Sequence, residues 1–454
     1  MNIDEISAKE EEAKNLITDQ IEKARKNGIE QVEIFCSYTN QTEITLEKND
    51  LNQSIFAEET MYGIRVIAGN CQGFVATNDS STIYQSILDA KAIAASQNTP
   101  DEAMELPEPG FISEVDGLYN SEIDEISSAF LMDIVRESLD LKNSEFPNVN
   151  LDSAEFAISK GFKLIASSKG VLASEKEALL SSSFMGMATE NGIVGSFDYD
   201  SAYGRSFSDF KTNHFELFRE FMQNCMNSLK ALPVESFKGN LIIPPRNITG
   251  FLLGNLLASL TASMVRKGKS KFSDKIGQTI ASKFLTVTDN PQIADYMGST
   301  SFDREGQPTE NMTIIRDGRL ENYFYNHFEA VKAGKDFSAN ALGGASSTPS
   351  CGPRQIQVEP GGSMLNDILN LNNSVILNRF SGSSDSASGD FSGVVKGSSV
   401  IKNGATLPVK EIQITGNIYE SLNNITHVSF ERKLVHSSSM MPWIVIKDID
   451  VTGI

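Results

Sequence analysis

QVEIFCSYTNQTEITLEKNDLNQSIFAEETMYGIRVIAGNCQGFVATND, residues 31–79, decides the fold. Its opening runs QVEIFCSY, QTEITLEKND and LNQSIFAEE alternate apolar and polar residues, the two-residue period of half-buried antiparallel strands. Gly63, Gly69 and Gly73 punctuate two further runs, IRVIAG and GFVATN, and the step Ala68-Gly69-Asn70 predicts a hairpin turn between them. Upstream, residues 4–27 place Ile6, Ala13, Leu16, Ile17, Ile21 and Ala24 at helical spacing, with Gly28 as a C-terminal stop. Downstream, residues 79–97 predict a helix capped by Asp79 or Ser80, with Ile83, Ile87, Leu88 and Ala92 on one face. Each helix has an apolar stripe that must be covered, and the strands offer the cover.

Residues 98–122, rich in Pro, Gly, Asp and Glu, read as a linker-like surface connection. Then the pattern returns: a helix in SSAFLMDIVRESLDLKNSEFP, strands and turns across residues 149–204, and a helix over 213–230. Helix followed by meander, twice, predicts an α+β unit that is loosely duplicated. A boundary is expected near 232–240, giving an N-terminal α+β domain, 1–235, and a C-terminal mainly β domain of mixed or antiparallel sheet, 236–454. The second begins with the strand NLIIP and a helix over 247–265, and its strongest hairpin signals are Asp317-Gly318 and Asn403-Gly404.

The 454 residues carry 39 Lys and Arg against 59 Asp and Glu, a net charge of -20, which disfavours a nucleic-acid groove because phosphate binding needs dense cationic surface. No apolar run reaches the roughly 18–20 residues of a membrane span, and the acidic start MNIDEISAKEEEAKN resembles neither a secretory signal nor a transit peptide. A cytoplasmic location is expected. Cys36, Cys71, Cys225 and Cys351 are widely spaced and read as reduced thiols.

No reaction is named by the residues alone. The four histidines, His214, His327, His427 and His436, form no helical ligand pair, and no G-x-S-x-G elbow is present. The glycine-rich runs 341–353 and 389–397 and the serine-rich stretch 381–393 read as loops. The basic run Arg266, Lys267, Lys269, Lys271 and Lys275 reads as a solvated helix end.

Taken together, LLGNLLAS, RKGKSKFSDKIGQTI, VTDNP, GSTSFDREGQPTENMTIIRDGRLENYFYN, GGASSTPSCGPRQIQVEPG, SGDFSGVVKGSSVIKNGA and LPVKEIQITGN resemble the TldD/PmbA family, also called the modulator of DNA gyrase family. ETMYGIRVIAGNCQGFVATND is similar to its first-half strand motif. The resemblance implies two kinds of subunit: a TldD type, whose His-Glu-x-x-x-His helix and late cysteine bind a peptidase metal, and a metal-free PmbA or TldE type. Here Gly254 stands for the first His, Asn255 for the Glu and Ser259 for the second His, and no cysteine follows Cys351. No catalytic or metal-binding residue is carried over and no cofactor is expected. The implied function is a non-catalytic subunit that forms a heterodimer with a TldD-type homologue and handles unstructured peptides, with a homodimer expected in isolation and no membrane partner. Two alternatives stand beside it. One is an autonomous hydrolase using a serine or a metal held by His327, His427, His436 and carboxylates; the other is a regulator that binds DNA gyrase as a protein.

Overall fold

The computed structural model describes residues 1–335 and 339–453. The first half runs α1 (Ile3–Lys26), β1 (Gln31–Glu47), β2 (Asp50–Ala68), β3 (Cys71–Thr77) and α2 (Ile83–Ser96). It then runs α3 (Ser128–Glu145), β4 (Val149–Ser167), β5 (Leu172–Glu190), a short β6 (Ile193–Val194), β7 (Asp198–Gly204) and α4 (Phe207–Ser228). The strands form one antiparallel sheet in the order β3-β2-β1-β4-β5-β6, with β7 also on β5.

The duplication lies in the register. Phe35 faces Gly63 across β1 and β2, and 120 positions later (35 to 155, 63 to 183) Glu155 faces Ser183 across β4 and β5. β1 and β4 meet at the centre, Asn40 opposite Lys160, so the two helix–meander–helix repeats lie side by side about a local two-fold. Their helices share one face of the sheet. Ile17, Ile34, Val66 and Ile87 pack in the first repeat, and Phe156, Phe184, Phe218 and Met222 in the second.

The three opening runs merge into two strands of 17 and 19 residues. Nothing between Tyr38 and Gln41 breaks the alternation, and the turn falls at Lys48-Asn49, both with positive φ. The turn at Gly69-Asn70 forms as expected, with φ of 58° and 59°, the geometry of a two-residue hairpin. In α2, Ile83 and Ile87 face inward, but Leu88 is 38% exposed and Ala92 faces solvent; Ser86, Ala90 and Ala94 are buried instead. The bare Gly73 allows this, because a Cβ there would lie 1.8 Å from the Ala90 carbonyl oxygen. Small residues therefore set which side of α2 meets the sheet. The helix expected over 213–230 starts at Phe207, capped by the Ser206 hydroxyl, which accepts from Asp209 N.

The seven-stranded sheet and its helices make one unit of the chain; the second unit, the C-terminal half, is built on β8 (Phe237–Ile243), in the middle of a nine-stranded mixed sheet. Ser374–Ile376 pairs parallel to β8 on one side and Ser439–Thr452 antiparallel on the other. A smaller sheet joins Val287–Asp289, Met312–Arg316, Arg319–Leu320 and Ile356–Val358. Both Asp317-Gly318 and Asn403-Gly404 are hairpin turns. The stretch 381–393 is for the most part a hairpin, Arg379–Ser384 against Asp390–Lys396, and only residues 385–389 loop out.

Residues 98–122 do more than connect. Leu106 N donates to the Gln31 side chain, Val115 N to Ser301 Oγ, and the Leu118 carbonyl accepts from Ala178 N. The segment is thereby fixed where the two units meet.

Candidate functional site

The helix expected over 247–265 is interrupted. Pro245–Asn247 starts it, Ile248–Leu253 is wound wider than an α-helix, Gly254–Ser259 is α-helical, and a break at Leu260-Thr261 precedes Ala262–Arg266. The break has a partner: Phe324 N donates to the Leu260 carbonyl and Ala262 N to the Phe324 carbonyl, so a neighbouring extended segment takes over hydrogen bonds that the helix gives up. Ile248, Leu252, Leu253, Leu256, Leu257 and Leu260 are buried in the largest core cluster. Wide helical turns of this kind recur at functional positions.

Gly254, Asn255 and Ser259 lie on this helix, and Asn255 faces the 379–396 hairpin. Asn255 Nδ2 donates to Ser384 Oγ at 2.7 Å. The buried Ser259 hydroxyl donates to the Asn255 carbonyl at 2.8 Å and lies 3.0 Å from the Tyr419 hydroxyl, which itself reaches the Ser386 carbonyl at 2.5 Å. Lys271 lies over the Tyr419 ring and donates to the Ser388 carbonyl at 3.1 Å. Asp385 closes the loop by accepting from the backbone N–H of Ser388 and Ala387, and these bonds hold its carboxyl below the ordinary range. A Cβ on Gly254 would approach only the Thr249 carbonyl oxygen, at 3.3 Å. Asn255 and Ser259 thus belong to a hydrogen-bonded seam between helix and hairpin, and Gly254, with no side chain, takes no part in it.

The histidines stand apart. His214 is fully buried between Ser138 Oγ and Ser182 Oγ, each at 2.8 Å, among Phe156, Phe184, Phe210 and Phe218, and burial pushes its pKa down to about 3. His327 neighbours Glu105, His427 contacts Thr426, and His436 lies 3.6 Å from Asp200. Among the described residues, no group of three or more His, Cys, Asp or Glu is placed to hold a metal ion. The four thiols are unpaired, and burial raises those of Cys36, Cys225 and Cys351 to about 12. In the basic run, Arg266 makes a two-pronged bond to Glu329 at 2.7 and 2.8 Å.

Sequence reasoning missed the charged groups where the two units meet. Glu33 and Arg65, opposite each other on β1 and β2, join Arg304 and Glu305 of the second unit. Arg304 Nη1 bonds Glu33 at 2.9 Å, Arg65 Nη1 bonds Glu305 at 2.9 Å, and Arg65 also bonds Glu33. Beside them Gly63 admits the backbone of the 341–353 loop, since a Cβ would lie 2.3 Å from the Ala345 carbonyl oxygen. At the other end of the sheet, Arg246 bonds Asp198 and Asp200, both at 3.1 Å. Burial alone would raise the Asp200 pKa, but His436 and Arg246 outweigh it and hold it low. The alternation in DYDSAYG puts both aspartates on one face, a legible signal; their partner 46 residues beyond Asp200 was not. A groove of about 360 Å³ opens beside them, lined by Leu217, Pro245, Leu434 and Trp443.

The model of the PmbA/TldA metallopeptidase C-terminal domain matches residues 237–453, and that of domain 1 matches residues 32–96. The chain belongs to the TldD/PmbA family. Metalloprotease PmbA of Escherichia coli O157:H7 is 27% identical over 62% of this chain and 60% of its own length. A PmbA homolog of Haemophilus influenzae is 21% identical over 98% and 96%. The fold matches that of TldE from Thermococcus kodakarensis, at 20% identity and a TM-score of 0.87, covering 96% of this TldD/PmbA chain and all of the other. It also matches a proposed modulator of a DNA gyrase from Thermotoga maritima, at 20% identity and a TM-score of 0.84, covering 96% and 99%.

A metallopeptidase family raises the question of metal ligands at 254–259. Catalytic zinc and its relatives take imidazole, thiolate or carboxylate donors. Gly254 supplies no donor, Asn255 a neutral amide committed to Ser384, and Ser259 a hydroxyl committed to Asn255 and Tyr419. These three residues do not fit such a metal.

Proposed function

We propose that this chain is the non-catalytic, peptide-presenting subunit of a TldD/TldE-type metallopeptidase complex, working beside a TldD-type homologue that supplies the metal and the general base. The observation that carries this reading is the seam at 254–259: where the resemblance places metal ligands and a base, this chain has Asn255 and Ser259 tied into the 379–396 hairpin. An amide cannot replace a carboxylate as base near neutral pH. The likeness to TldE over nearly the whole chain supports the same subunit type. A subunit without chemistry of its own still contributes by completing a cavity, excluding water and holding an extended peptide along its strands.

The test is co-purification with a TldD-type homologue, followed by elemental analysis of each separated subunit. The expected result is a stable complex with stoichiometric metal on the homologue alone. Stoichiometric zinc or iron on this chain, lost with peptide cleavage on substituting His327, His427 or His436, overturns the reading in favour of an autonomous hydrolase.

A further inference from the structure

Between β6 and the second unit lies an open cavity of about 610 Å³. Its rim is apolar: Ile193 and Val194 of β6 are 58% and 62% exposed, and Met187, Leu229 and Val409 continue the wall. Its charge is opposite to that of the molecule. Arg379, Lys396 and Lys410 line it against one carboxylate, Glu411, which pairs with Lys396 at 3.1 Å. In a chain of net charge -20 this is a local excess of two positive charges.

Arg379 is the informative group. It is 6% exposed, its guanidinium lies over the Phe197 ring with the central carbon 3.7 Å from the ring centroid, and Nη1 donates to the Phe197 carbonyl. Its Nη2 is buried without a hydrogen-bond partner, and no carboxylate among the described residues lies within ion-pair distance. Burial holds its pKa below arginine's ordinary value, against the pull of Asp198, Tyr199 and Glu411. A buried guanidinium with an unused N–H is costly to keep, and such orphans mark places where an ion or ligand completes the set. Lys410, likewise without a carboxylate at ion-pair distance among the described residues, stands at the same cavity.

We propose that this cavity is a carboxylate-binding subsite that takes the C-terminal end of a peptide, with the carboxylate on Arg379 and Lys410 and an apolar terminal side chain against Ile193, Val194 and Leu229. The peptide as source of the carboxylate rests on the function proposed above. A guanidinium binds a carboxylate through charge-assisted bonds, and the apolar wall gives the neighbouring side chain a dry surface. A single negative charge suits the cavity better than a dianionic phosphate, because Asp198 lies nearby and Glu411 already occupies Lys396.

The test is titration of the full chain with one labelled unstructured peptide ending in leucine, prepared as free acid and as amide, and with hexanoate as a small acid. The acid is expected to bind roughly tenfold or more tightly than the amide. That ratio should collapse in Arg379→Met and shrink in Lys410→Ala, whose exposed position leaves the fold untouched. Equal binding of acid and amide overturns the subsite while leaving peptide presentation standing. Hexanoate binding that depends on Arg379, with neither peptide bound, supports the subsite and removes the peptide reading. No binding of either peptide or of hexanoate overturns the subsite.

Discussion

Arg304 and Arg379 are both buried arginines stacked on phenylalanine rings where the two units meet, and they are solved in opposite ways. Arg304 lies over Phe35, bonds Glu33 at 2.9 Å and donates to the Gly344 carbonyl at 3.1 Å. Arg379 lies over Phe197, has one carbonyl for a partner and keeps Nη2 unused. The first is a structural lock whose charges cancel within the protein. The second is incomplete, and incompleteness at a buried charge is where a ligand is to be sought.

The sharpest way to break this comparison is to remove the hinge of the lock. Glu33→Gln leaves Arg65 and Arg304 buried with one carboxylate, Glu305, between them, and the expected loss is about 3–5 kcal/mol of stability by urea unfolding. A loss below about 1 kcal/mol would mean that the network is solvated and the contrast with Arg379 is false.

A buried group that is satisfied without charge extends the comparison to pH. The His214 pKa in the folded chain, about 3, lies below its ordinary 6.5, so the fold favours the neutral ring. The contribution is full above pH 6.5 and is lost as pH falls toward 3. At pH 5 the cost is about 2 kcal/mol by linkage. Thermal unfolding between pH 7.5 and 5 should show His214→Asn losing less stability than the wild type; parallel curves would count against a neutral buried ring.

Smaller effects test the seam and the orphan. Tyr419→Phe removes the hydroxyl that joins Ser259 to the Ser386 carbonyl, for an expected loss of about 1 kcal/mol with the fold intact. Arg379→Met should stay within about 1 kcal/mol of the wild type, because it removes a charge whose bonding is incomplete. A loss as large as that of Glu33→Gln would place Arg379 with the structural arginines.

What could be read in advance follows the range of the interactions. The N-terminal sheet was legible because strand alternation and the Gly69-Asn70 turn are local signals, and the duplication showed in element order although only the register fixes it. The inward face of α2 was misjudged at Leu88 because it depends on Gly73 across the sheet. The helix over 247–265 read as continuous because apolar residues recur through it at helical spacing and no proline breaks it; Phe324, far along the chain, interrupts it. At the site, Gly254, Asn255 and Ser259 were found by resemblance, whereas Tyr419, Arg379 and the Glu33–Arg304 pair are contacts between distant segments that no spacing rule reveals.

The central claim is tested most directly by following cleavage of one unstructured peptide by this chain alone, by a TldD-type homologue alone and by the two together. No cleavage by this chain alone is expected, and a rate for the mixture well above that of the homologue alone. Chelator-sensitive cleavage by this chain alone would contradict the claim.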